Sequence, residues 1–86
     1  MRHARAEGLA AIEPVLAEIR RSEDLTERSP GTFYRKSQAF LHFHEDPSGL
    51  YADVRLAPKE GFTRMRVSTK TEQRAFLTAV RKALAA

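Results

Sequence analysis

The chain has 86 residues, with 15 Lys and Arg against 11 Asp and Glu, three His and no Cys. That length supports one hydrophobic core and not two, and without cysteine there is neither a disulfide framework nor a thiolate nucleophile, so only His, Asp and Glu remain to hold a metal. The missing thiols fit a reducing compartment, and Glu7, Glu13 and Pro14 break the most apolar stretch near the N-terminus, so no signal peptide and no membrane span are expected and the expected location is cytoplasmic.

Leu9, Ile12, Leu16 and Ile19 recur every three or four residues with Val15 beside them, the spacing of one apolar stripe along an amphipathic helix. Pro14 lacks an N–H and clashes with the carbonyl four residues back, so the helix kinks there or restarts with Pro14 in its first turn, and the firm helix is expected over 14–22. Ser22 to Gly31 carry few apolar side chains and end in Ser-Pro-Gly, which reads as a connecting loop.

From Thr32 the period changes to two. The segments 32–36, 39–45, 50–56 and 62–67 are rich in β-branched and aromatic residues and are separated by Ser-Gln, Asp-Pro-Ser-Gly and Pro-Lys-Glu-Gly, the pattern of an antiparallel β-meander of three or four strands. Thr69-Lys-Thr-Glu72 then spells a capping box, and Phe76, Leu77, Val80 and Leu84 mark the buried stripe of a closing helix. The expected architecture is a single α+β domain over 1–86, a two-layer sandwich with helix and loop at 1–31, β-meander at 32–67 and C-terminal helix at 70–86.

The register of the central hairpin follows from its apolar residues. A turn at Asp46-Pro47-Ser48-Gly49 pairs Glu45 with Leu50, Phe43 with Ala52 and Leu41 with Val54, and sends His44 with Tyr51, His42 with Asp53 and Phe40 with Arg55 to the other side. A slip of one residue would bury the histidines. Leu41, Phe43, Val54, Leu56, Met65 and Val67 thus form a face for the helices to cover, and Phe33, Arg35, Phe40, His42, His44, Tyr51, Asp53, Arg55, Phe62, Arg64 and Arg66 form an opposite face that no remaining element covers. From that face Phe40, His42, His44, Tyr51, Asp53, Arg55, Arg64 and Arg66 are taken as candidate binding residues.

Three chemistries suit such a surface. Its aromatic rings can be buried against a second copy of the chain or another protein. Rings and arginines interleaved on a sheet can instead stack bases and neutralise phosphates, and the charge distribution favours a polyanion: residues 55–86 hold 8 Lys and Arg against 2 Asp and Glu, residues 1–54 hold 7 against 9. Finally, His42, His44 and Asp53 converge as in two-His-one-carboxylate metal sites, or as an acid–base pair in which the carboxylate orients an imidazole. An open sheet offers no evident supporting shell and no water-excluding pocket, so no metal, no cofactor and no catalytic residue is assigned. A binding or protein-interaction module is expected, with single-stranded nucleic-acid or DNA binding, and a small metal-binding or acid–base enzyme, as the alternatives.

The segment Phe40-Leu-His-Phe-His-Glu-Asp-Pro-Ser-Gly-Leu-Tyr-Ala-Asp-Val-Arg55, followed by Phe62-Thr-Arg-Met-Arg-Val67 and a closing helix, resembles a family of small bacterial proteins of unknown function over about residues 32–84. The order of helix, meander and helix is also similar in topology to YjbR/MmcQ-like proteins, for which a DNA-binding role has been proposed. That likeness implies nucleic acid as a partner and carries over no residue role.

Overall fold

The computed structural model describes residues 2–85. The N-terminal stripe does not form one helix. The chain pairs briefly as β1 (Arg2–His3), turns into α1 (Ala6–Ala11), leaves helical geometry at Ile12 (φ −117°, ψ 26°) and restarts as α2 (Glu13–Arg20) with Pro14 in the first turn. Pro14 has no N–H to offer the preceding turn, so the break falls where its ring forces it. Ile12, at the joint, is fully buried.

The segment expected as a loop, Ser22 to Gly31, contains a strand, β2 (Leu25–Ser29), paired with β3 (Thr32–Arg35) through a two-residue Pro30-Gly31 turn. Leu-Thr-Glu-Arg-Ser has little apolar alternation because β2 is an edge strand, held by its backbone ladder, by the Arg20–Glu27 ion pair at 2.7 Å and by the partly buried Leu25 against the core. Gly31 sits at φ 76° with its N–H bonded to Glu27 Oε2 at 2.9 Å. A Cβ there would come within 2.8 Å of Leu9 Cδ2, so both backbone and packing require glycine.

β4 (Gln38–Asp46), β5 (Gly49–Val54) and β6 (Thr63–Arg66) complete the meander, giving a sheet of order β2-β3-β4-β5-β6 in which every pairing is antiparallel. The central hairpin has the register its apolar residues dictate: Leu41 faces Val54, His42 faces Asp53, Phe43 faces Ala52 and His44 faces Tyr51. The side of β4 away from β5 is shared. β3 pairs with Gln38 to His42, and β1 takes the remaining length, His3 opposite His44 and Arg2 opposite Glu45.

α3 (Lys70–Ala85) begins at the expected capping box, with Thr69 Oγ1 accepting from Glu72 N at 3.1 Å and Glu72 Oε1 accepting from Thr69 N at 2.9 Å. It packs on β6 and α2, so all helical apolar stripes meet one face of the sheet. The core comprises Leu9, Ile12, Val15, Leu16 and Ile19 from the N-terminal helices, Leu41, Phe43, Val54 and Val67 from the predicted apolar sheet face, and Phe76 and Val80 from α3. Phe43 and Phe76 meet edge to face, 5.9 Å between centroids. The result is the two-layer α+β sandwich, with the other sheet face uncovered by any helix. Among the described residues, no helix is long and apolar enough to cross a membrane.

Three residues expected on the uncovered face lie elsewhere. The β3–β4 ladder shifts between Phe33–Leu41 and Tyr34–Ala39, skipping Phe40. With the alternation broken at that bulge, Phe33 (1% exposed) and Phe40 (3% exposed) both join the core. Arg35 points to the helical layer and donates to the carbonyls of Ala83 and Leu84 at the end of α3, where the helix leaves its last carbonyls unpaired.

Candidate functional site

Asp53 is the buried charged side chain of the described residues, 7% exposed. A lone carboxylate out of water is costly unless paired, and β6 supplies the partner. Arg64, its register neighbour, donates Nε to Oδ1 at 2.7 Å and Nη2 to Oδ2 at 2.8 Å, a bidentate fork. The Arg64 hydrogen bonds hold the Asp53 carboxyl below the ordinary carboxylate range.

On the other side of Asp53 stands β4. His42 lies directly across the ladder, and its ring meets that of His44, two residues on, at 4.6 Å between centroids and 85°. Burial, reinforced by the neighbouring His44, pushes His42 below the ordinary imidazole range. His44 Nε2 comes within 3.1 Å of Asp53 Oδ2, and among the described residues this buried nitrogen has no hydrogen-bond partner. One ligating atom from each of His42, His44 and Asp53 fits within 4.8 Å of the others. The expected convergence of two imidazoles and a carboxylate is therefore present.

The remaining candidates frame this centre. Phe62, 39% exposed, packs edge-on against His42 at 4.8 Å and carries the Arg55 guanidinium over its ring at 4.6 Å. Arg55 further donates to the carbonyls of Ala39 and Glu60. Tyr51 shares a hydrogen bond with Ser48 at 2.7 Å. Arg66 donates to both oxygens of Glu72 and to the carbonyl of Ser48. Of the three candidate arginines, Arg64 and Arg66 are thus already paired with carboxylates, and of the candidate aromatic rings, Phe40 is in the core.

One member of the cluster had no signal in the sequence. β1 brings His3 beside His44, 6.5 Å between ring centroids, with Nε2 3.2 Å from the Pro30 carbonyl. A two-residue strand pairing with a segment more than forty positions away leaves no periodicity to read. The larger concavities, about 660 Å³ beside Arg2, Glu45 and Leu50 and about 380 Å³ beside Arg35, Phe40 and Arg55, do not include His42, His44 or Asp53.

No protein-family model, curated protein or solved structure matches the chain.

Proposed function

We propose that the chain is a binding module whose working surface is the polar face of its sheet, centred on His42, His44 and Asp53. The observation that carries this reading is the buried Nε2 of His44, 3.1 Å from the buried Asp53 carboxylate and without a hydrogen-bond partner among the described residues. Such an atom costs about 1–3 kcal/mol. A ligand that supplies the missing partner removes that cost on binding, and strands fixed by the central ladder hold the groups in place beforehand, which limits the ordering entropy binding must overcome.

The open shape favours binding over catalysis, because the histidines lie outside the larger concavities. A second copy of the chain is a poorer occupant, since burial of Phe33 and Phe40 leaves Phe62 as the exposed large apolar side chain of the described residues. Single-stranded nucleic acid keeps one favourable feature, the Arg55–Phe62 stack, whose guanidinium among the described residues contacts carbonyls and no carboxylate.

His44→Phe tests the reading without knowledge of the ligand. It keeps an aromatic ring and removes the orphaned nitrogen, and we expect thermal and urea unfolding to show a gain in stability of up to about 1–3 kcal/mol, each kcal/mol being worth about 4–8 °C in Tm at this size. A loss of stability would make His44 a structural residue and take away the reason for placing the working surface here.

A further inference from the structure

Resting on that reading of the face, we propose that His42, His44 and Asp53 form a binding site for a divalent transition-metal ion of the zinc, cobalt and nickel class. Two imidazoles and one carboxylate, with no thiolate, suit these ions, whereas calcium and magnesium favour all-oxygen sets. The three donor atoms already lie within 4.8 Å of one another. The His44 Nε2 to Asp53 Oδ2 separation of 3.1 Å is close to the roughly 3.3 Å between neighbouring ligands about an ion bound at about 2.0–2.1 Å.

The objections that an exposed sheet raises are answered by particular residues. Arg64 clamps the Asp53 carboxylate through both oxygens, the kind of supporting contact that orients a ligating carboxylate. Phe62 packs edge-on against His42, 4.8 Å between ring centroids. Both histidines stand on the central strand and Asp53 on its neighbour, so the donor positions are set by the best-held ladder of the sheet. Three protein donors leave a coordination position open, as in zinc sites that bind or activate a further molecule.

The test is titration of EDTA-stripped protein with Co²⁺ and Zn²⁺ alone near pH 7.5, read by calorimetry and by the visible Co²⁺ spectrum, with ring-nitrogen NMR to identify the ligands. We expect one ion per chain, movement of the His42 and His44 ring signals, and losses of affinity in His42→Ala and His44→Ala beyond the roughly 10–100-fold that removal of a supporting partner costs. Arg64→Lys, which keeps the charge and loses the fork, should fall within that smaller range. Circular dichroism confirms that each variant is folded, and His44→Gln serves where His44→Ala does not fold. No stoichiometric ion at millimolar Co²⁺, or binding that survives both histidine variants and disappears in His3→Ala, overturns the proposal. A protein that takes up no metal while His44→Phe is stabilised loses the metal and keeps the binding face; one destabilised by His44→Phe loses the face itself.

Discussion

Asp53 shows how a single residue couples stability to the polar face. It is buried, forked to Arg64, and flanked by His42 and His44. His42 and Asp53 are both held below their ordinary pKa ranges in the folded chain. For a group depressed by folding, the stabilisation is complete above the unfolded pKa and is lost as pH falls through the folded one. Metal-free protein should therefore be most stable above about pH 6.5 and weaken in two stages, the first below about pH 6.5 from His42 and the second below about pH 4 from Asp53. The groups facing His42 are His44 on its own strand, His3 on β1, Asp53 on β5 and Arg64 on β6. Urea midpoints measured in EDTA from pH 8 to pH 3 check this: His42→Gln should flatten the first stage, and Asp53→Asn the second. Midpoints independent of pH between 8 and 5 would show that His42 titrates alike in both states.

At the scale of elements, the turns and caps carry the strain and its relief. Gly31 closes the β2–β3 hairpin at positive φ with no room for a Cβ, so Gly31→Ala should cost more than the roughly 1 kcal/mol of an ordinary glycine replacement and should loosen β2 first, measurable as faster amide exchange in Leu25–Ser29. Lys36, in the two-residue turn between β3 and β4, is the non-glycine residue at positive φ (58°). Lys36→Gly relieves about 1 kcal/mol of left-handed strain, and a raised denaturant midpoint is the expected result. Thr69→Ala removes the Thr69 half of the capping box and should cost about 1 kcal/mol. That box was legible because its residues are neighbours, Thr69 and Glu72, and the chemistry that links them is local. β2 was not, since an edge strand with polar side chains on both faces looks like a loop until its partner is known.

Across the whole molecule, one sheet face is sealed and the other left open, and the two should respond differently to substitution. Phe76, fully buried against Phe43, should cost about 3–5 kcal/mol on replacement by Ala, enough to unfold many domains of this size, whereas Arg55→Ala on the open face, losing its stack on Phe62 and two carbonyl hydrogen bonds, should cost only about 1 kcal/mol. Arg55 is also where any affinity for a polyanion should reside. With Arg64 and Arg66 tied to Asp53 and Glu72, Arg55→Ala should lower the slope of log affinity for single-stranded DNA against log salt by roughly 0.7, and Arg66→Ala should change it less. Equal losses from Arg74→Ala, on α3, would mean diffuse attraction without a site on the sheet. Light scattering at high micromolar concentration should give a monomer, since Phe62 is the exposed large apolar side chain among the described residues.

The amino-acid pattern by itself determined the two-layer arrangement, the break at Pro14, the start of α3 and the register that sets His42 opposite Asp53. Each of these depends on residues a few positions apart, or on the rule that a one-residue slip would exchange the histidines for Leu41 and Phe43 in the core. Only the tertiary structure decided which side chains of the open face are free to act. The bulge that withdrew Phe40, the β1 pairing that delivered His3, the Arg64 fork that neutralised Asp53 and the buried nitrogen of His44 all arise from backbone shifts and side-chain contacts between strands. Period-two alternation assigns a residue to a face, but not its depth in that face or its partner there, because those depend on how the strands meet in space.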